Sequence, residues 1–63
     1  MRSGLTVPAE LEAALAASPE ATAAFDALPP SHRREHAEWV AEARKPETRE
    51  RRAAKTVERL LAG

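Results

Sequence analysis

The stretch Leu28–Gly63, LPPSHRREHAEWVAEARKPETRERRAAKTVERLLAG, decides the fold of this 63-residue chain and carries most of its positive charge. It contains the only Trp, Trp39, and nine of the ten Lys and Arg residues. Its prolines divide it into helical segments, because proline suits the first turn of a helix and disrupts the interior. β-branched residues are few and scattered, without the alternation that is typical of a strand. The sequence therefore predicts helices only.

Upstream of this stretch the same punctuation continues, and the whole chain is predicted to form four helices, at residues 8–17, 19–28, 31–44 and 46–62. Ser18 is the expected side-chain cap of the second helix. Ser31 is the expected cap of the third, although Pro30 could be the first residue of that helix if it starts earlier. Isolated helices of this length are marginal in water, so each must be held by the others. We expect a single all-α domain spanning residues 1–63, built as a small bundle of four short helices with orthogonal or irregular packing.

The core is predicted from apolar positions that recur at the helical period. Trp39 is expected at its centre, since it is the largest apolar side chain of the third helix. The remaining expected core residues are Val7, Leu11, Ala14, Leu15, Ala21, Ala24, Phe25, Leu28, Val40, Ala43, Ala53, Ala54, Val57, Leu60 and Leu61.

Composition excludes several classes of protein. The chain has no Cys, so neither a disulfide nor a thiolate metal site supports the core. No apolar run approaches the roughly 18 residues of a membrane span, and Met1–Gly4 is too short for a signal peptide. We therefore predict a cytoplasmic protein that does not contact membranes.

The net charge of zero conceals an uneven distribution. Residues 1–27 carry one basic and four acidic residues, and residues 28–63 carry nine basic and six acidic residues, which gives net charges of −3 and +3. Attraction between the two halves within one fold is the simpler interpretation of this asymmetry, and a surface that attracts a charged partner is the other.

Basic side chains cluster on the fourth predicted helix. At the helical period, Arg52, Lys55 and Arg59 project in nearly one direction, and Arg49 adds charge near the start of the helix. We call these four residues the basic ridge. Three glutamates share the helix, so a solvated charged face is the interpretation that the residues alone favour. The functional alternatives are an acidic protein partner and nucleic acid, which Lys and Arg bind by displacing counterions.

No residue pattern predicts catalysis. His32 and His36 stand four residues apart, the spacing at which two imidazoles share a metal ion, but two ligands do not make a site, and packing or capping roles are favoured. Ser31 lacks a plausible base and is interpreted as a cap. General acid–base chemistry needs a cleft that perturbs carboxylate pKa values, and a bundle of this size has little room for one. We predict no catalytic residue, no metal site, no cofactor and no enzymatic activity.

Several segments resemble the bacteriocin-protection, YdeI or OmpD-associated family. These are VPAELEAALAASPEA at Val7–Ala21, FDAL at Phe25–Leu28, PSHRREHAEWVAEA at Pro30–Ala43 and ETRERRAAK at Glu47–Lys55. The most specific parts are RRE followed four residues later by Trp, and ETR followed by RR. They place the family pattern on Arg33, Arg34, Glu35, Trp39, Glu47, Thr48, Arg49, Arg51 and Arg52. His36 departs from it, because relatives often have Tyr there, so any role for a phenol is in doubt.

The resemblance implies a module that commonly forms the carboxy-terminal end of a longer protein, so this chain is either an excised domain or a minimal stand-alone member. The family name implies a link to envelope stress or to protection from bacteriocins, and no catalytic residues are carried over. We expect a non-catalytic helical interaction module of a bacterial protein that binds an acidic partner through the basic ridge. The alternative is a nucleic-acid-binding domain that uses the same ridge. The sequence names neither the partner nor the oligomeric state.

Overall fold

The computed structural model describes residues 7–62, which contain four helices and no strand. The helices are α1 (Ala9–Ala16), α2 (Pro19–Asp26), α3 (Pro30–Glu42) and α4 (Pro46–Ala62). The predicted all-α class, a small bundle of four short helices, is confirmed. Residues 1–6 and 63 of the predicted domain lie outside the described range. No helix within residues 7–62 is both long enough and apolar enough to cross a membrane.

The starts of α2 and α3 test the two predicted side-chain caps, Ser18 and Ser31. The Ser18 hydroxyl accepts a hydrogen bond from the backbone N–H of Ala21 at 3.2 Å, as predicted for the cap of α2. Ser31 does not cap α3, because it lies inside the first turn, and the alternative start at Pro30 is confirmed. The residue before a proline is excluded from helical geometry, so Pro29 is extended, with ψ of 152°, and the helix begins at Pro30.

The longest helix, α4, packs against all three other helices and forms the centre of the bundle. The buried cluster combines a few large apolar side chains with several alanines, which let the helix backbones approach one another. Its buried members are Leu11, Leu15, Ala21, Phe25, Ala37, Val40 and Ala53. Their distribution over all four helices explains how elements of eight to seventeen residues hold one another in place.

Trp39 does not occupy the centre of this core. It is partly buried and packs against the edge of the cluster, whereas Val40 beside it is fully buried. The residues of α3 that enter the core are small, and the indole ring is instead covered by arginine side chains of α4. An aromatic ring with an N–H group is well suited to such a boundary position.

The buried face of α4 differs from the predicted one. Ala54 and Leu61, both expected inside, are exposed, whereas Thr56 is fully buried. The Thr56 hydroxyl donates a hydrogen bond to the carbonyl of Arg52 at 3.0 Å, so its burial leaves no unsatisfied polar group. The inner face is thus rotated by roughly 60° around the helix axis from the face that apolar residues alone indicate.

We expect Leu11→Ala to lower the free energy of unfolding by about 2–5 kcal/mol, because Leu11 is fully buried and its loss leaves a cavity. Leu61→Ala is the matched control, since this side chain is 51% exposed and should be close to neutral. Urea denaturation followed by circular dichroism measures both. Equal destabilisation by the two variants would show that the core is assigned incorrectly.

Candidate functional site

The surface where α3 meets α4 is built by arginines that complete the end of α3. The last carbonyl groups of a helix have no partner within the helix. Arg52 Nη1 donates to the carbonyl of Trp39 at 2.8 Å, and Arg49 Nη1 donates to the carbonyls of Ala41 and Ala43 at 2.9 and 3.1 Å. Positive charge is also favourable at the negative end of the helix dipole. Two side chains of α4 therefore fix the carboxy-terminal end of α3.

The same arrangement recurs at the end of α2. Arg33 Nη1, from the first turn of α3, donates to the carbonyls of Asp26 and Leu28 at 3.1 and 2.8 Å. Helices commonly end on glycine, which adopts the left-handed conformation that satisfies these carbonyls. The sequence has no glycine between Gly4 and Gly63. Arginines from the following helix satisfy the carbonyls instead.

Arg49 also connects α4 to α1 through an ion pair. Its Nε lies 3.1 Å from Glu10 Oε1, and the two side chains are 25% and 24% exposed. The pKa of Glu10 lies below its ordinary value, first because of a backbone hydrogen bond in the first turn of α1 and then because of Arg49, with partial burial opposing both. Arg49 therefore holds three parts of the bundle together.

The indole ring of Trp39 lies against two guanidinium groups. The ring centroid is 5.2 Å from Arg52 Cζ and 5.0 Å from Arg59 Cζ, within the range of cation–π attraction. Residues seven apart on a helix are separated by about 10 Å along its axis, so we place the ring between the two groups. Both guanidinium groups therefore lie against the ring.

An open groove of about 510 Å³ runs along α4 beside this ring. Its lining combines apolar surface with three cations and one carboxylate, so its local charge is positive. Two of these charges form an ion pair, between Lys55 Nζ and Glu58 Oε1 at 3.6 Å, which is exposed and contributes little to stability. The lining residues are Trp39, Thr48, Arg51, Arg52, Ala54, Lys55 and Glu58.

A smaller depression of about 280 Å³ is lined by Glu35, His36, Trp39 and Arg59. The pKa of His36 lies below its ordinary value, mainly because of partial burial and then because of the positive charge of Arg59. Glu35 opposes this shift, and the neighbouring His32 adds to it slightly. Neutral imidazole is therefore favoured at this position. The described residues contain no group of three or more side chains that could hold a metal ion.

The structure divides the basic ridge. Arg52 and Lys55 line the groove, and Arg59 lies against Trp39 and lines the smaller depression. Arg49 faces inward and is occupied by α1 and α3. Arg51, which is not one of the four ridge residues, lines the groove directly. Arg49 lies seven residues before the buried Thr56 and is therefore on the same, inward face of α4.

The family model described as "Bacteriocin-protection, YdeI or OmpD-Associated" matches residues 4–63 of the chain. Neither a search of curated proteins nor a search of solved structures gave a match. The residues that carried the resemblance have physical roles in the structure. Arg33, Arg49 and Arg52 bond the ends of helices, and Trp39 packs against two arginines of α4.

We expect Arg49→Gln to destabilise the protein by about 1–3 kcal/mol, because the carbonyls of Ala41 and Ala43 at the end of α3 lose their hydrogen-bond partner. Arg51→Gln is the control, since Arg51 is exposed and makes no contact of this kind. Its effect should stay within about 0.5 kcal/mol. Urea denaturation of the two variants makes the comparison, and similar losses would contradict the role of Arg49 at the helix end.

Acid should destabilise the protein in two steps. Glu10 and His36 both have lowered pKa values in the folded state, so the unfolded state binds more protons as the pH falls. The stabilisation from His36 is complete above its unfolded pKa of 6.5 and is lost as the pH falls through its folded pKa. That from Glu10 is complete above 4.5 and is lost in the same way.

The urea midpoint measured from about pH 8 to about pH 2 tests this expectation. His36→Gln should remove the upper step and leave the lower one, and Glu10→Gln should do the reverse. A midpoint that rises on acidification below pH 6.5 in the parent protein, and no longer rises in His36→Gln, would contradict the direction assigned to His36.

Proposed function

Because the chain belongs to the bacteriocin-protection, YdeI or OmpD-associated family, we propose that it is a non-catalytic interaction module of a bacterial protein related to stress or bacteriocin protection. Its partner is an acidic protein segment that binds around Trp39. The observation that carries this proposal is a partly exposed tryptophan held between two arginines, beside an open groove of positive charge. The cytoplasmic location stays a prediction from the sequence.

The proposed contact surface consists of Arg51, Arg52, Lys55 and Arg59 around Trp39. Arg49 is left out, because its guanidinium is occupied within the bundle. Trp and Arg are the residues most enriched where interfaces derive their binding energy, and arginine pairs well with carboxylates. The surface therefore combines an apolar anchor with cations at its edge, which matches a segment that carries both carboxylates and apolar side chains.

Three observations support a protein partner over nucleic acid. The chain has zero net charge and a pI near 6.7, whereas nucleic-acid-binding domains are usually strongly basic. Arg49 is committed to internal contacts, which removes one cation from the ridge. Two guanidinium groups lie 5.2 and 5.0 Å from the centroid of the Trp39 ring, so a base that stacks on this ring would compete with them.

An amide NMR titration with an acidic peptide, and separately with a mixed-sequence DNA duplex, tests the proposal. We expect the peptide to shift the indole signal of Trp39 and the amides of residues 48–59, and to do so at physiological salt. The DNA duplex should shift them only at low salt, where screening is weak.

The double variant Arg51→Glu with Lys55→Glu should weaken peptide binding by about tenfold or more, because it reverses two charges in the groove. The matched control is Arg34→Glu with Arg44→Glu, which makes the same change at exposed positions outside the groove. Neither pair includes an arginine that bonds a helix end. Tight DNA binding at physiological salt would favour the nucleic-acid alternative, and a peptide that shifts no signal would show that the proposal is wrong.

A further inference from the structure

We infer that the segment bound by this surface is an α-helix with carboxylates seven residues apart, lying alongside α4. The inference rests on the proposed function and specifies the shape of its ligand. Two guanidinium groups flank Trp39 at fixed positions, and a third cation lies between them along the helix.

The spacing of the cations sets the spacing of the ligand charges. Arg52, Lys55 and Arg59 occupy positions i, i+3 and i+7 of α4, so the outer two are about 10 Å apart along the axis. A second helix that runs beside α4 has the same rise per residue. Acidic residues at its own i, i+3 or i+4, and i+7 positions would therefore stay in register with all three cations.

An extended segment does not match this spacing. Side chains on one face of a strand recur about every 6.6 Å, so the third residue, about 10 Å away, points to the opposite face. A strand could place one carboxylate at Arg52 or at Arg59, but its next carboxylate on that face would fall short of the other arginine or pass it. The spacing of the two arginines along α4 therefore favours a helical ligand.

The two arginines are held in place before any ligand arrives. Trp39 packs against both guanidinium groups, and Arg52 Nη1 is also bonded to the Trp39 carbonyl at 2.8 Å. Immobilising a free arginine side chain on binding costs conformational entropy. Here much of that conformational entropy is already lost in the folded protein. The remaining N–H groups of each arginine stay available to a carboxylate.

The floor of the groove fits the apolar side of such a helix. Ala54 is exposed and has a small side chain, and Trp39 contributes an aromatic edge. Glu58 also lines the groove and is 3.6 Å from Lys55, so it would repel a carboxylate placed opposite it. This repulsion restricts the positions at which the ligand can carry its charges.

A set of helical peptides on one alanine-rich host, each locked by a side-chain crosslink, tests the inference. One peptide carries Glu at i and i+7, one carries Glu at i and i+5, and one carries Gln at i and i+7. A fourth has the i and i+7 glutamates but a central proline in place of the crosslink, which breaks the helix. Trp39 is the only tryptophan of the protein, so its fluorescence reports binding at the site, and amide NMR confirms the location.

We expect the i, i+7 peptide to bind about fivefold more tightly than the i, i+5 peptide, because the second carboxylate of the latter points away from α4. The Gln peptide and the proline peptide should bind more weakly still. In a double-mutant cycle, Arg59→Gln should abolish the preference for the i, i+7 peptide over the i, i+5 peptide. Arg34→Gln is the control and should leave that preference unchanged.

The outcomes separate this inference from the proposed function. Equal binding of the i, i+7 and i, i+5 peptides, with both above the Gln peptide, would overturn the spacing and leave an acidic ligand in place. Equal binding of the proline peptide and the locked peptide would overturn the helical form. If neither acidic peptide binds more tightly than the Gln peptide, the inference and the proposed function are both wrong.

Discussion

The fold depends on how three short helices end without glycine. Each exposes carbonyl groups at its carboxy terminus, and the chain satisfies them with side chains from the next part of the sequence. Thr22 Oγ1 donates to the carbonyl of Leu15 at 2.6 Å at the end of α1, Arg33 bonds the end of α2, and Arg49 and Arg52 bond the end of α3. The end of each of these helices thus makes a tertiary contact, and this contact fixes the direction of the following helix.

This use of arginine changes how the charge of the chain is interpreted. Within residues 7–62, the contact between Glu10 and Arg49 joins the acidic first half to the basic second half. The other cations of α4 fall into two groups. Arg52 bonds a helix end and also lies against Trp39, whereas Arg51, Lys55 and Arg59 are exposed on the surface of α4. Charge on this helix is therefore partly structural and partly available to a partner.

The sequence predicted the helices well, because prolines and the Ser18 cap act locally. It failed where tertiary packing decides. Counting only apolar residues predicted that Ala54 lies on the buried face of α4 and overlooked Thr56. The Thr56 hydroxyl is satisfied by the backbone of its own helix. The same count placed Trp39 at the centre of the core, since a periodic pattern does not show that arginines will cover a ring. The predicted site was accordingly the basic ridge alone, without Trp39, against which two of its arginines lie.

The roles of Arg52 and Trp39 couple the candidate site to the stability of the bundle. The Trp39 carbonyl accepts a hydrogen bond from the same arginine whose guanidinium lies against the Trp39 ring, so the ring is positioned only when α3 and α4 are packed. A ligand that binds this surface therefore binds the folded state alone and stabilises it by mass action. A domain this small buries little surface on folding, so its stability is low. The binding of a ligand at this surface is therefore directly coupled to the population of folded protein.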